Sequence, residues 1–247
     1  MKSFLLDYFY ANFGKNHRKS LNSSVKTFVM SKIHVYFMPG LAASPKIFER
    51  IQLPEDTFEM HFLEWFLPEK NEPLEVYAKR MTAEIKHENP VLIGVSFGGI
   101  LVQEMAELIP VRKTIIISSV KCRDEFPMLM KLAKNAKAYK LIPTRMFSNV
   151  EFLLKYGIGE KVKERLELYK MYLSVNDKKY LDWAIEHVLI WNRKKADEKI
   201  VHIHGDADDV FPIKNIKNCI VVKGGTHAMI LFKYKWMNEN LPGIIAE

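Results

Sequence analysis

Six short apolar runs, separated by segments with helical patterns, constrain the fold of this chain more than any other feature. The runs occupy 33–38, 58–63, 91–95, 114–118, 200–204 and 218–222. Buried parallel strands have this character, and each needs a crossover connection, usually a helix, to reach the next strand. Helical patterns at 45–51, 73–87, 97–109 and 227–241 can supply crossovers. The sequence therefore predicts an α/β fold, with a mostly parallel sheet covered by helices on both faces.

One long interval between these runs has helical patterns and no strand pattern. It spans residues 121–195 and includes an amphipathic stripe at Leu129, Leu132, Ala133 and Ala136. Loops of this length without secondary structure are uncommon in a compact domain. We therefore expect 121–195 to be a helical cap inserted into a core formed by 31–120 and 196–247. Residues 12–24 are polar and basic with no clear period, and residues 1–30 are expected to form an N-terminal extension or arm.

Composition and charge restrict the classes of function. Of the 247 residues, 48% are hydrophobic and 27% are charged, as in ordinary globular proteins. The net charge is +8, but Lys and Arg are spread along the chain without a nucleic-acid-binding motif, so we expect no nucleic-acid partner. No apolar run has the length of a membrane span. Two cysteines fit a reducing compartment and lead us to expect a cytoplasmic protein.

Ser96 is the leading candidate for a nucleophile. It lies in the sequence Gly-Val-Ser-Phe-Gly-Gly at 94–99, after an apolar run and before a helical pattern. A sharp strand-to-helix turn of this kind exposes the serine hydroxyl. Gly94 and Gly98 are expected to avoid collisions across the turn, and Gly99 to let the helix pack closely. A glycine-rich turn with an incidental serine is the structural alternative.

With this turn the chain resembles the α/β-hydrolase superfamily over about residues 31–240. The resemblance implies a Ser, acid, His order along the chain. The loop after 200–204 has a glycine, two residues, an aspartate, three residues and a proline, and this match implies that Asp208 is the acid. Asp206 is the alternative acid, and an aspartate-rich turn is the structural alternative.

The resemblance also implies the histidine and the oxyanion hole. His227 follows a glycine pair after the last apolar run and would act as general base and then general acid. The backbone N–H groups of Leu41 and Phe97 would bind the oxyanion. Related proteins commonly have His-Gly before the first of these donors, where this chain has Pro39-Gly40.

These residues imply a serine hydrolase that cleaves a carboxylic ester or thioester of a small to medium acyl group through an acyl-enzyme. Its partner is expected to be a small-molecule acyl substrate, with no cofactor and no metal. His202 and His204 could in principle form a metal pair, but local hydrogen bonds fit better, because no other residues complete a metal site at motif spacing. A receptor-like ligand-binding protein, and a lyase or acyltransferase that uses the same residues, are the alternative functions.

Overall fold

One parallel sheet forms the centre of the structure, a computed structural model that describes residues 31–135 and 171–247. In the described ranges its strands are β1 (Ile33–Met38), β2 (Phe58–Phe62), β3 (Val91–Val95), β4 (Lys113–Ile117), β5 (Val201–Gly205) and β6 (Ile220–Val222). Their order across the sheet is β2-β1-β3-β4-β5-β6, and every neighbouring pair is parallel. The predicted α/β class and parallel sheet are therefore confirmed.

The helices in the described ranges cover both faces of this sheet. They are α1 (Leu74–Thr82), α2 (Phe97–Ala106), α3 (Met128–Asn135), α4 (Lys178–Ile190), α5 (Met229–Phe232) and α6 (Tyr234–Ala246). Side chains alternate between faces along a strand. Tyr36 and Met38 of β1 accordingly join the hydrophobic cluster that contains α1, α2 and α4, whereas Val35 and Phe37 join the cluster that contains α5 and α6.

All four predicted helices differ from the observed ones in length. The segment predicted over 45–51 is a short 3₁₀ helix at Pro45–Phe48, and the helix predicted over 97–109 ends at Ala106. The helix expected over 73–87 ends at Thr82, because the following amides bond three residues back, Glu84 N–H to Met81 and Ile85 N–H to Thr82. The helix expected over 227–241 is divided at Lys233, whose φ of −112° and ψ of 25° are not helical, and its second part continues to 246.

The described part of the predicted cap consists mainly of α3 and α4. Tyr180, Leu181 and Ala184 of α4 are buried in the same cluster as the strands, and the indole N–H of Trp183 donates to the Glu72 carbonyl at 2.7 Å. This helix is therefore packed directly against the core. Residues 136–170 of the cap and the expected arm at 1–30 lie outside the described residues. In the described ranges, no helix has the length and apolar character needed to cross a bilayer.

Candidate active site

Ser96 occupies a strained position between β3 and α2. Its φ of 52° and ψ of −117° lie in a region that residues with a side chain rarely adopt. Hydrogen bonds hold this backbone on both sides: the Ser96 N–H donates to the Ile117 carbonyl at 2.9 Å, and the Ser119 hydroxyl donates to the Ser96 carbonyl at 2.7 Å. Strain maintained by surrounding contacts is typical of a functional position.

The turn glycines allow this close packing. A Cβ at Gly94 would collide with the backbone of Gly98, and a Cβ at Gly98 would collide with the carbonyls of Met38 and Pro39. Both obstacles are backbone atoms, so they cannot move aside cheaply. A Cβ at Gly99 would meet the Ser119 side chain. The turn is therefore packed against the loop that follows β1 as well as against itself.

His227 lies between the serine hydroxyl and a carboxylate. Its Nε2 is 3.0 Å from Ser96 Oγ, and its Nδ1 is 3.0 Å from Asp208 Oδ2 and 3.2 Å from Oδ1. The His227 side chain is 28% exposed, whereas that of Asp208 is fully buried. The three residues follow β3, β5 and β6, whose carboxyl ends meet at one edge because the strands are parallel.

Asp208 is held as a carboxylate by donors around it. Its Oδ1 accepts the N–H groups of Val210 at 2.8 Å and Phe211 at 2.9 Å. Burial raises the pKa of Asp208, but the hydrogen bond and charge of His227 and the Phe211 N–H outweigh burial, and the pKa is lowered. An ionised, oriented carboxylate can hold Nδ1–H of His227 and stabilise its cationic form.

Asp206 and Asp209 have other surroundings. The Asp206 carboxylate accepts the Gly224 N–H at 2.6 Å and so ties the loop after β5 to the loop that leads to His227. Asp209 is exposed. Of these three carboxylates, the one that lies beside His227 is that of Asp208.

The loop after β1 lies beside Ser96. A Cβ at Gly40 would be 3.4 Å from the Ser96 Cβ. The structure gives the amide N–H groups of Leu41 and Phe97 no hydrogen-bond acceptor among the described residues. These two amides are therefore available to an oxygen atom of a bound molecule.

Comparison with known proteins identifies the fold. The sequence matches no protein-family model and no curated protein. The structure is similar to a hydrolase from Pseudomonas aeruginosa PA01, at 13% identity and a TM-score of 0.63, with 87% of this chain and 91% of that chain covered. A carboxylesterase structure from the thaumarchaeon Nitrososphaera gargenis has 14% identity and a TM-score of 0.65, with 87% and 90% covered. An esterase from Exiguobacterium antarcticum has 17% identity and a TM-score of 0.57, with 88% and 93% covered. The chain has the α/β-hydrolase fold.

Within this α/β-hydrolase fold, two aromatic side chains hold the loop after β1, and the sequence analysis did not identify either role. The indole N–H of Trp65 donates to the Gly40 carbonyl at 2.9 Å, and its ring stacks on Phe97 with centroids 5.0 Å apart. The Tyr180 hydroxyl accepts the Ala42 N–H at 3.4 Å. Trp65 precedes α1 and Tyr180 lies in α4, so no local sequence signal connects them to this loop.

His204, near the end of β5, contacts the loop that carries Asp208. Its Nε2 lies 2.8 Å from the Phe211 carbonyl and 3.6 Å from Asp208 Oδ2, and its Nδ1 lies 3.1 Å from His202 Nε2. Because a carbonyl can only accept, Nε2 of His204 carries the proton. The pair at His202 and His204 thus makes the local hydrogen bonds that the sequence analysis favoured.

Proposed function

We propose that the chain is a serine hydrolase that cleaves a carboxylic ester or thioester of a small to medium acyl group through an acyl-enzyme. One observation carries the proposal: Ser96 Oγ, both ring nitrogens of His227 and the Asp208 carboxylate form a continuous series of contacts of 3.0 Å. A nucleophile, its base and the group that orients the base are the parts that this chemistry requires.

Acylation begins at Ser96. His227 Nε2 removes the hydroxyl proton as Oγ attacks the carbonyl carbon of the substrate. The amides of Leu41 and Phe97 bind the oxyanion of the tetrahedral intermediate. Protonated His227 then donates its proton to the leaving alcohol or thiol, the bond to the leaving group breaks, and the acyl group remains on Ser96. Asp208 stabilises the imidazolium during this step.

Deacylation repeats the sequence with water as the nucleophile. His227 Nε2 removes a proton from water, whose oxygen attacks the acyl carbon. The same amides bind the second oxyanion. His227 returns the proton to Ser96 Oγ as the acyl bond breaks, so that a carboxylic acid is released and the free serine is restored. Water supplies every atom that the product acid gains, and the proposal uses no cofactor.

The fold neighbours agree with this class of reaction without deciding the substrate. Their names describe an esterase, carboxylesterases and a hydrolase. The choice of an ester or thioester, and of a small to medium acyl group, is part of the proposal, and hydrolysis rates against acyl length test it.

The test is hydrolysis of p-nitrophenyl esters of increasing acyl length by the purified full chain. We expect hydrolysis of the shorter esters, with kcat reduced at least about 10³-fold in Ser96→Ala. Ser31→Ala, at an exposed serine before β1, is the matched control and should retain full activity. Equal rates for Ser96→Ala and the wild type would refute the proposal. Ser96-dependent turnover of a lyase or acyl-transfer substrate without ester hydrolysis would assign the alternative reaction.

A further inference from the structure

Four side chains with metal-binding donor atoms converge beside the paired strands β1 and β2 and the loop before β3. His34, Glu59, His61 and His87 each offer one donor atom, and these four atoms all lie within 4.8 Å of one another. In the part of the chain that the structure describes, this is the one group of three or more such side chains. We call it the His34 cluster.

The separations within the His34 cluster are close to those of metal ligands. His34 Nδ1 is 3.1 Å from His61 Nε2, and the two Glu59 oxygens are each 3.8 Å from one of these nitrogens. Ligand bonds of about 2.0–2.1 Å in a tetrahedral zinc site place ligand atoms roughly 3.3 Å apart. Movements of about half an ångström would therefore bring these three donors onto one ion.

The sheet fixes three of the four residues. In the pairing of β1 with β2, His34 lies opposite Glu59 and Tyr36 lies opposite His61. Glu59 and His61 are two residues apart, so they share one face of β2. Donors on paired strands keep their spacing better than donors on separate loops. The cluster is therefore built on rigid elements.

His87 completes the cluster from the loop between α1 and β3. Its ring stacks on His34, with centroids 3.5 Å apart, and its Nδ1 lies 2.6 Å from the Tyr36 hydroxyl. A ligating histidine usually uses its second nitrogen in such an outer hydrogen bond, which leaves Nε2 as the donor to the ion. In the stacked arrangement the lone pairs of the His34 and His87 rings point in parallel and do not converge on one point. The His87 ring therefore has to tilt for both histidines to coordinate the same ion.

A cation can reach these donors from solvent. The side chains of His34 and His61 are 23% and 22% exposed, and that of Glu59 is 49% exposed. A groove of about 570 Å³ extends past His61 and His87, and Glu64, Glu84 and Lys86 also line it. The Lys86 amine is hydrogen-bonded to the Ala83 carbonyl. The groove thus combines an open path with two further carboxylates.

The position of the cluster separates it from Ser96. His34 is the second residue of β1, whereas Ser96 follows the last residue of β3, and Val35 pairs with Val91. At about 3.3 Å per residue, the two sites lie roughly 15–20 Å apart along the strands. An ion at the cluster would link β1, the edge strand β2 and the loop before β3 without contacting the nucleophile.

We propose that His34, Glu59, His61 and His87 form a binding site for a divalent transition-metal ion, with Zn²⁺ as the best match, which stabilises this edge of the sheet. Three imidazoles and one carboxylate suit zinc, and no thiolate is needed. The sequence alone does not predict this metal site, because the four residues come from three separate segments without a motif spacing. The site does not depend on the proposed hydrolase activity.

The test is calorimetric titration of the chelator-treated full chain with ZnCl₂, together with thermal unfolding with and without Zn²⁺. We expect one Zn²⁺ per chain and a higher Tm when it is bound, because a ligand that binds only the folded state stabilises it. Co²⁺ in place of Zn²⁺ should give the intense visible absorption of tetrahedral coordination.

Matched variants locate the ion. Glu59→Gln changes an exposed side chain that tolerates substitution, and it should weaken Zn²⁺ binding at least tenfold, as should His34→Gln with His61→Gln. Glu55→Gln, at an exposed glutamate before β2, and His187→Gln in α4 should bind Zn²⁺ as the wild type does. A wild-type chain that binds no Zn²⁺ at micromolar concentration, or a Glu59→Gln variant with unchanged affinity, would overturn the proposal.

Discussion

The indole Nε1–H of Trp65 donates a hydrogen bond of 2.9 Å to the carbonyl oxygen of Gly40. The same ring stacks on Phe97 at an interplanar angle of 7°. One side chain thus contacts both segments whose amides, at Leu41 and Phe97, we propose to bind the oxyanion. We therefore expect Trp65 to fix the separation of these two donors, although it belongs to neither segment.

Trp65→Phe should lower kcat for ester hydrolysis by about fivefold while changing KM little. The variant retains an aromatic ring against Phe97 but loses a hydrogen bond worth about 1 kcal/mol, which positions a donor used in the transition state. Steady-state kinetics of p-nitrophenyl ester hydrolysis measures both constants.

The control for this variant is Trp236→Phe, at a partly buried tryptophan in α6. It should leave both constants near their wild-type values. An unchanged kcat in Trp65→Phe would show that the Gly40 hydrogen bond does not position the oxyanion donors.

Asp208→Asn and Asp206→Asn should separate the two candidate acids. An asparagine at 208 cannot hold His227 in the required tautomer or stabilise its cation, so kcat should fall by about 10³–10⁴-fold. Asp206→Asn keeps an oxygen that can accept the Gly224 N–H and loses only the charge, so it should lower kcat by less than about tenfold. The larger loss in Asp206→Asn would assign the acid role to Asp206.

Gly94→Ala should destabilise the fold by at least about 2 kcal/mol, because the new Cβ would collide with the Gly98 backbone. Gly243→Ala is the matched control: it lies within α6, and a Cβ there would meet nothing within 4 Å. Gly243→Ala should raise the free energy of unfolding by roughly 0.5–1 kcal/mol, because alanine is favoured over glycine inside a helix. Urea unfolding measures both changes, and a Gly94→Ala variant as stable as the wild type would refute the close approach at the turn.

Buried His204, which contacts the loop that carries Asp208, predicts that the folded chain is less stable in mild acid than at neutral pH. Burial lowers the pKa of His204 below 6.5, and the hydrogen bond to Phe211 and the Asp208 charge only partly oppose burial. As the pH falls below 6.5, the unfolded chain takes up a proton that folded His204 does not accept. The free energy of unfolding should therefore decrease from about pH 6.5 down to the lowered pKa.

His204→Gln should reduce this slope, because the titrating group is removed while an amide N–H can still donate to the Phe211 carbonyl. Urea unfolding between pH 5 and pH 7 of the variant and the wild type gives the comparison. His202, whose pKa is also lowered, chiefly by burial, is present in both proteins. Identical slopes in His204→Gln and the wild type would show that His204 contributes nothing to acid sensitivity.

The strands were predictable because buried parallel strands are marked locally. The runs predicted at 33–38 and 91–95 match β1 and β3, since each strand is bounded by residues that break the apolar pattern. Helix ends were less predictable: apolar spacing continues to Ile85, but the backbone turns at Thr82 and carries His87 toward Tyr36. That tertiary contact has no local signal.

In the candidate site, too, some residues have a local sequence signal and others are defined only by tertiary contacts. Ser96, Asp208 and His227, which the family resemblance matches to short loops after apolar runs, lie in contact with one another in the structure. Trp65 and the His34 cluster could not be named, because their contacts join segments that only the sheet brings together. A hydrogen bond between residues 25 positions apart leaves no periodicity in the sequence.

The central claim is that Ser96 is a nucleophile activated by His227. Intact-protein and peptide mass spectrometry after reaction with a fluorophosphonate probe at neutral pH tests it most directly. We predict one adduct per chain, located on Ser96, absent from Ser96→Ala and formed at least about 10³-fold more slowly in His227→Ala. A wild-type chain that forms no adduct at Ser96, or a His227→Ala variant that reacts at the wild-type rate, would contradict the account.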